Sequence, residues 1–261
     1  MNCTFITGAT GGIGKAFAKE CALLGNNLFL TGRSQEKLQT LATEIQTKYG
    51  VKTFIYACDL TSEIERNAMV EYVKANGLVI DRLINVAGVD IQKAFTEYTA
   101  QKVLFQIRVN VESTISLTHE LLKIRASEME ILTISSMSGV TPMPYFALYS
   151  ATKDMLTNFF TSLHYELKDS GVKVTTVLPG GVYTRPDVIQ DIRGQGLWGK
   201  LSAKQPEFVA KKSLKKVVKN QYIYIPGFFN KLLYVIIKLT PKRLVTKFIA
   251  HRWKKQTKDA F

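Results

Sequence analysis

The residues best suited to chemistry are a tyrosine and a lysine four positions apart, Tyr149 and Lys153. In a helix this spacing puts the phenol and the ammonium on one face, one turn apart. A phenol with its ordinary pKa of about 10 is a poor proton donor or base at neutral pH. A cation roughly 4 Å away favours the ionised phenol by up to about 4 kcal/mol. Ser136 could hydrogen-bond a substrate oxygen at the same point. The alternative is that the pair marks an ordinary helix surface.

These three residues belong to a predicted strand, loop and helix. Residues 131–135 read as a buried strand, and residues 136–139 interrupt it. Pro142 and Pro144 keep the next segment in a loop, because proline is poorly tolerated inside a helix. A helix is then predicted over residues 149–168. Ser136 is therefore expected at a strand end, close to the first turn of that helix.

A glycine-rich turn, TGATGGIG at residues 7–14, joins a short apolar strand (3–7) to a predicted helix (15–24). In this context Gly8 allows the tight turn, Gly12 lets the backbone approach a pyrophosphate, and Gly14 permits close packing of helix on strand. The phosphates would bind at the helix N-terminus, where free N–H groups and the helix dipole favour negative charge. We therefore predict a dinucleotide site here, with Thr10 and Ile13 among its residues.

The second strand, predicted over residues 27–31, is followed by Gly32, Arg33 and Ser34. NAD-binding folds carry an acidic residue near this position, where it binds the ribose 2′-hydroxyl. An arginine would instead pair with a 2′-phosphate, which a carboxylate would repel. The sequence therefore predicts NADP(H), with Arg33 and Ser34 among the binding residues. The alternative is a solvated arginine at the start of the next helix.

Other predicted strands also end in polar or small residues. Asp59 could accept a hydrogen bond from an adenine amino group, with Leu60 beside it, or it could cap the next helix together with Thr61. Small residues at 85–88 would let the backbone pass under a cofactor. The uninterrupted alternation of strands and helices favours a doubly wound parallel α/β sheet of about seven strands with helices on both faces. Ligands of such sheets bind beyond the carboxyl ends of the strands, where the sequence puts Thr7, Arg33, Asp59, Asn85, Ser136 and Thr184.

Two further segments show unusual composition. A long helix is predicted over residues 99–125 with Asn110 in its middle, where asparagine is a poor helix former. This cost indicates a local task, such as holding a kink or a water. Residues 185–204 contain three glycines and follow no regular period, which predicts a mobile segment that covers substrate. The expected pocket wall is apolar and consists of Val89, Met143, Phe146, Tyr183 and Trp198.

The net charge of +14 belongs to the last quarter of the 261 residues. Residues 1–199 contain 19 Lys+Arg and 19 Asp+Glu, whereas residues 200–261 contain 16 Lys+Arg and 2 acidic residues. The chain opens on an apolar strand without the charged start of a secretory leader. No apolar run reaches the roughly 20 residues needed to cross a bilayer, and the three cysteines form no metal-ligand pattern. We therefore expect a cytoplasmic protein without a bound metal, made of a neutral globular body and a basic end.

The basic end has the pattern of two amphipathic helices. Apolar residues recur at helical spacing from residue 228, and Thr240 with Pro241 is predicted to start a second helix. One face of that helix would carry Leu244, Val245, Phe248, Ile249 and Trp253, and the other Lys242, Arg243, Lys247, Arg252, Lys254 and Lys255. Such helices bind anionic membrane surfaces. The alternatives are packing on the body or on a partner subunit, or binding of an acidic protein. Nucleic acid is not expected, because no stacking or groove-reading pattern occurs.

Taken in order, these pieces resemble the short-chain dehydrogenase/reductase family over residues 1 to about 227. The matching pieces are TGATGGIG, Asp59, NVAG at 85–88, Asn110, Ser136, YSATK at 149–153 and PGGVYT at 179–184, and NVAG departs from the family's NNAG by its valine. The resemblance implies a Rossmann-type domain at residues 1–227, followed by the basic helical tail at 228–261. It implies Tyr149 as the acid/base, Lys153 as the residue that lowers its pKa and binds the nicotinamide ribose, and Ser136 as the group that orients the carbonyl.

The resemblance further implies that Asn110 supports a water relay to Lys153 and that Thr184 and the Val182 backbone hold the carboxamide. Helices 99–125 and 149–168 would pair subunits into a homo-oligomer. The implied cofactor-binding residues are Gly8, Thr10, Gly12, Ile13, Gly14, Arg33, Ser34, Asp59, Leu60, Asn85, Ala87, Gly88, Tyr149, Lys153, Val182 and Thr184. The predicted reaction is hydride transfer between NADP(H) and an apolar ketone, aldehyde or 3-oxoacyl compound. The competing prediction is a catalytically silent NADP-binding regulator or scaffold, against which the four intact catalytic residues count.

Overall fold

The computed structural model of the chain describes residues 1–254 and contains a seven-stranded sheet in the order β3-β2-β1-β4-β5-β6-β7. The strands are β1 Asn2–Ile6, β2 Leu28–Gly32, β3 Thr53–Ala57, β4 Val79–Asn85, β5 Arg125–Ile134, β6 Val172–Val177 and β7 Ile223–Tyr224. All neighbouring strands run parallel. The order changes direction between β1 and β4, and a crevice opens there at the carboxyl ends of the strands. The predicted doubly wound sheet is confirmed.

Helices cover both faces of the sheet. They are α1 Gly12–Leu23, α2 Gln35–Tyr49, α3 Glu63–Ala75, α4 Ala100–Ile107, α5 Ser113–Leu122, α6 Ala147–Glu166, α7 Pro186–Gly194, α8 Gly196–Ser202, α9 Pro206–Val217, α10 Phe228–Leu239 and α11 Lys242–Trp253. Successive strand residues point to opposite faces, so Ile6 packs with α1, α2 and α9 while Phe5 packs with α3, α5 and α6. Cys3, Cys21 and Cys58 are free thiols within these two cores.

Two segments differ from the sequence predictions. The predicted helix at 99–125 is divided into α4 and α5 by a π-helical turn, Arg108–Glu112, with the fully buried Asn110 at its centre. A π-helical turn replaces the regular α-helical hydrogen bonds of the backbone with wider ones. The side-chain amide of Asn110 forms hydrogen bonds with Val89 and Thr152, which lie on other segments. The segment 185–204, predicted to be irregular, forms α7 and α8. Pro186 favours this outcome because its fixed φ suits the first position of α7.

α10 is anchored to the rest of the chain by one buried side chain. Asn230 is 1% exposed, and its Nδ2 donates to the carbonyl oxygens of Ser202 at 2.8 Å and Pro226 at 2.7 Å. A side chain on Gly180 would fill the same space, since its Cβ would lie 2.8 Å from Asn230 Oδ1. The start of the tail is therefore fixed against the loop after β6. The division of the chain into two units at residue 227 stays a prediction.

α11 begins differently from the prediction. Thr240 ends α10, its hydroxyl donating to the Ile236 carbonyl oxygen, and Pro241 occupies the N-cap position before Lys242. Lys255, predicted on the charged face of this helix, lies outside the described residues. Within residues 1–254, no helix combines the length and the apolarity that crossing a bilayer requires.

Candidate active site

A cleft of about 650 Å³ opens at the carboxyl ends of the strands. Loops from several strands bring most of the predicted site residues to it, although they are far apart in the sequence. The predicted residues that line it are Gly8, Thr10, Gly12, Ile13, Gly14, Arg33, Asp59, Leu60, Ala87, Gly88, Ser136, Tyr149, Lys153, Val182 and Thr184. Three other predicted residues, Ser34, Asn85 and Asn110, do not line it.

The glycine turn has no room for side chains at Gly8, Gly12 and Gly14. Gly8 has a φ of 62°, a left-handed conformation that glycine adopts without strain. A Cβ on Gly14 would overlap the Gly8 carbonyl oxygen, and one on Gly12 would lie 3.0 Å from Thr184 Cα. α1 begins at Gly12 without a side-chain cap or an acidic residue in its first turn. The turn therefore offers unblocked N–H donors in a narrow cradle, which fits the pyrophosphate of a dinucleotide.

Two exposed cations lie at the end of the cleft that follows β2. Arg33 and Lys37 both line it beside Gly32. Sequence reasoning misses Lys37, although a basic pair at spacing four across a helix start is a readable signal. Ser34 caps α2, and its hydroxyl accepts a hydrogen bond from the Lys37 N–H at 3.3 Å. Ser34 does not line the cleft, and its contact with the cofactor stays a prediction.

Asp59 lines the cleft with Leu60 and also shapes the turn after β3. Its Oδ1 accepts hydrogen bonds from the N–H and the hydroxyl of Thr61, both at 2.9 Å, and its own N–H donates to Glu65 Oε2 at 2.8 Å. The residue that caps α3 is Ser62. The capping alternative for Asp59 and Thr61 is therefore wrong, and a carboxylate lies at the cleft.

Ser136, Tyr149 and Lys153 meet at the centre of the cleft. α6 carries the tyrosine and the lysine, and the turn after β5 brings the Ser136 side chain into a hydrogen bond with Tyr149. Lys153 Nζ lies 5.7 Å from the centre of the Tyr149 ring and donates to the Ile134 carbonyl oxygen at 2.9 Å. The structure thus brings together a hydroxyl, a phenol and an ammonium, as the spacing predicts.

Burial dominates the pKa of Tyr149, and the lowering of that pKa by Lys153 stays a prediction. Burial raises the pKa of the Tyr149 phenol well above its ordinary value, the Asp90 carboxylate raises it further, and the hydrogen bond with Ser136 lowers it by less. Burial also lowers the pKa of Lys153 to about 8, against the opposing effect of Asp90. Loss of hydration disfavours the charged form of both groups, so Tyr149 is held as a protonated phenol.

Two buried asparagines hold the walls of the cleft. Asn110 Oδ1 accepts from the Val89 N–H at 2.7 Å, and its Nδ2 donates to the Val89 carbonyl and to Thr152 Oγ1, both at 3.0 Å. Asn85 Nδ2 donates to two threonine hydroxyls, at 3.1 and 3.2 Å. These bonds explain why neither amide lines the cleft. Asn110 ties the loop after β4 to α6, directly beside Lys153.

Sequence reasoning misses three residues around the catalytic pair. A Cβ on Gly139 would lie 2.7 Å from backbone atoms of α6, so this turn can pack on the helix only as glycine. Asp90 and Arg185 line the cleft from two loops and form an ion pair at 3.3 Å. No spacing in the sequence predicts this pair, because 95 positions separate its members.

Aromatic side chains bound the cleft next to Tyr149. Phe146 stacks on Tyr149 with ring centres 4.4 Å apart, and Trp253 of α11 stacks on Phe146 at 5.7 Å. Of the five residues predicted for the pocket wall, Val89 and Phe146 line the cleft and the other three do not. Trp253, predicted on the membrane-facing side of the tail, lines the cleft as well.

The chain is similar in sequence to reductases and to a dehydrogenase-like protein. The very-long-chain 3-oxoacyl-CoA reductase of Bos taurus is 36% identical over 225 residues, which cover 81% of this chain and 67% of that protein. The human inactive hydroxysteroid dehydrogenase-like protein 1 is 35% identical over 184 residues, covering 69% and 55%. The chain thus matches between 53% and 67% of the length of these and similar curated relatives.

Solved structures share the fold almost throughout. A 7beta-hydroxysteroid dehydrogenase is 26% identical with a TM-score of 0.88, covering 95% of this chain and 96% of that chain. A variant of actinorhodin polyketide ketoreductase with NADPH is 25% identical with a TM-score of 0.77, covering 87% and 95%. The sequence profile of the short chain dehydrogenases matches residues 2–191. With the glycine turn and the Ser136, Tyr149 and Lys153 group in place, the chain belongs to the short-chain dehydrogenase family.

Proposed function

We propose that this protein is an NADP(H)-dependent oxidoreductase that transfers hydride between the nicotinamide and a carbonyl or alcohol substrate, and that it works as a carbonyl reductase. The observation that carries the proposal is the meeting of Ser136, Tyr149 and Lys153 in the same cleft as the glycine turn. The narrow glycine cradle suits the cofactor phosphates, and the three polar side chains lie where a reacting carbonyl would be polarised and protonated.

Each of these side chains has a task in reduction. Ser136 hydrogen-bonds the substrate oxygen and orients it. Tyr149 gives its proton to that oxygen as negative charge develops there, and its raised pKa keeps the proton available at neutral pH. Lys153, with its pKa lowered to about 8, can pass a proton back to Tyr149, and it would hold the nicotinamide ribose of a bound cofactor. Bound NADPH would supply the hydride.

Arg33 and Lys37 support NADP(H) as the cofactor. Both line the end of the cleft next to β2, and both side chains are exposed and free to turn toward a ligand phosphate. Two cations suit a 2′-phosphate, and the residue directly after β2 is Arg33 instead of an acidic residue that would bind a bare ribose. The ketoreductase relative with NADPH points the same way.

The substrate we propose is an apolar carbonyl compound, in particular a 3-oxoacyl thioester. Val89, Phe146 and Trp253 give the cleft an apolar end beside Tyr149. Relatives named as 3-oxoacyl-CoA reductases make this class the first to try. The second candidate is a silent NADP-binding scaffold, and the human relative named as inactive is the reason to test it. The presence of all three reacting side chains in one cleft favours turnover.

The test is NADPH oxidation by the purified chain with a panel of aldehydes, methyl ketones and 3-oxoacyl thioesters, followed at the nicotinamide absorbance. We expect turnover of the apolar members, with 3-oxoacyl thioesters among the best. NADPH binding without turnover of any carbonyl in the panel would reject the reductase and leave the scaffold.

We also propose that α10 and α11 attach the protein to an anionic membrane surface. Five apolar side chains on one face of α10 stay exposed, from Phe228 at 83% to Leu239 at 81%; the others are Leu232, Val235 and Ile236. Leu244 and Phe248 of α11 are exposed too. Packing on the body uses the opposite faces, so it does not account for these residues. Residues 208–258 contain no Asp or Glu, and each Lys or Arg near an anionic bilayer contributes about 1 kcal/mol.

Co-sedimentation with phosphatidylserine-containing and neutral vesicles tests the attachment. The wild-type chain should pellet with anionic vesicles, less so at high salt, and Phe228→Ser with Leu239→Ser should weaken pelleting. Ile64→Ser is the matched control, because Ile64 is also 83% exposed but lies on α3. Absence of pelleting at low salt would reject the membrane and leave a protein partner for this face.

A homo-oligomer through α4, α5 and α6 is the further partner we propose. Leu104 and Ile107 on α4 and Met155 on α6 are exposed apolar side chains on these helices. Sedimentation velocity of the wild type against Leu104→Glu with Met155→Glu would detect the assembly, and identical sedimentation at monomer mass would reject it.

A cytoplasmic location, at the membrane surface or free, remains a prediction that fractionation of cells can decide.

A further inference from the structure

The last described helix contributes to the catalytic cleft. Trp253, near the end of α11, lines the cleft and stacks on Phe146 with ring planes inclined by 22°. Phe146 in turn stacks on Tyr149 at an inclination of 21°. One continuous stack of three rings therefore runs from the phenol to the tail. The substrate end of the cleft is walled by a residue more than one hundred positions beyond Tyr149 in the sequence.

The apolar side chains of α11 differ in exposure. Val245, Ile249 and Trp253 recur every four residues and are partly buried, whereas Leu244 and Phe248 are 60% and 63% exposed. Of these five residues, Trp253 alone lines the cleft. The end of α11 therefore meets the cleft at a single side chain.

The docked end of α11 is also held by a second aromatic contact. The Arg252 guanidinium lies 5.8 Å from the centre of the Trp198 ring, and Trp198 meets Phe229 edge-on at 5.1 Å. These contacts join α8, α10 and α11 to one another next to Trp253. Trp253 is thus a fixed part of the wall beside Phe146, and a ligand beyond Phe146 would rest on its ring.

We propose that Trp253 is a specificity-determining residue that selects carbonyl compounds with a long apolar body. The inference rests on the proposed reductase function. A carbonyl carbon held at Tyr149 would direct the remainder of the substrate along Phe146 toward Trp253. Short carbonyl compounds would end before Trp253 and gain nothing from it. Longer ones would bury successive methylenes against its ring, each improving kcat/KM by about fourfold, as expected for a buried methylene.

The test compares methyl ketones from butanone to dodecanone, each with NADPH, on wild type, Trp253→Ala and Phe248→Ala. Wild type should prefer the long ketones steeply. Trp253→Ala should flatten this preference, so that its ratio of kcat/KM for dodecanone to kcat/KM for butanone approaches one. Phe248→Ala removes an exposed ring from the same helix and should keep the wild-type profile. An unchanged chain-length profile in Trp253→Ala would overturn the proposal.

A binding measurement separates this proposal from the reductase activity. The chain has two tryptophans, so the Trp198→Phe variant reports Trp253 fluorescence alone. Dodecanone should shield Trp253 from acrylamide quenching, and butanone should not. Shielding without turnover of any ketone would reject the reductase but keep Trp253 at an apolar binding site. Turnover of dodecanone without shielding would keep the reductase and reject the role of Trp253.

Discussion

The preference for NADPH over NADH can be removed by changing two exposed side chains. Arg33 and Lys37 lie at the cleft end next to β2, and each can make a charge-assisted contact with a 2′-phosphate. Such a contact contributes on the order of 1.5–3 kcal/mol, or roughly 10- to 150-fold in kcat/KM. Because both side chains are exposed, solvent and salt screen them, and we expect values toward the lower end. Arg33→Leu with Lys37→Met should therefore cost roughly 100-fold with NADPH.

The assay is kcat/KM for NADPH and NADH with one carbonyl substrate, at low and high salt. The double variant should lose efficiency with NADPH alone and show little salt dependence. Lys48→Met is the matched control, because Lys48 is a cation at the far end of the same helix. Gly32 is better left unchanged, since a Cβ there would lie 3.2 Å from Thr10 Oγ1. Equal efficiency of the wild type with NADPH and NADH would refute the reasoning.

Three further outcomes follow from the packing and charge of the site. Gly139→Ala should lower the free energy of unfolding by about 1–3 kcal/mol and should also lower kcat, because its Cβ would press on α6. Gly194→Ala is the control and should change neither quantity, because the space around its Cβ is open. Asn230→Ala should cost about 1–3 kcal/mol in urea denaturation, and the exposed Asn158→Ala almost nothing. Between pH 8 and about 10 the free energy of unfolding of the wild type should rise relative to that of Lys153→Met, since unfolded Lys153 keeps a proton that the folded form, with its pKa lowered to about 8, has lost. The difference isolates Lys153 from the buried thiols of Cys3, Cys21 and Cys58, whose raised pKa values act in the opposite direction over this range.

The sheet and the glycine turn were predictable because their signals are local. Parallel strands buried on both sides read as short apolar runs, and the strand, turn and helix at residues 3–24 provide the context that gives the glycines meaning. The spacing of Tyr149 and Lys153 is likewise a property of one helix. Ser136 reaches them because it ends a neighbouring strand. Each of these relations can be read within a few tens of residues.

The remainder depends on contacts that no local pattern encodes. The π-helical turn at Asn110 exists because its amide pairs with Val89 and Thr152, one on another loop and the other on α6. The Asp90–Arg185 pair joins two loops, and Trp253 returns to the cleft from the tail. The raised pKa of Tyr149 could not be foreseen from spacing, because only the folded structure shows that the phenol is removed from water.

The central claim is that Tyr149 donates the proton in NADPH-dependent carbonyl reduction. The most direct test is the steady-state kinetics of Tyr149→Phe, with NADPH affinity measured separately by fluorescence titration. Phenylalanine keeps the ring that stacks on Phe146 and removes the hydroxyl that meets Ser136. The account predicts that kcat falls by about 10²–10⁴-fold while the Kd for NADPH stays within about twofold of the wild type. Turnover of Tyr149→Phe at the wild-type rate would contradict it.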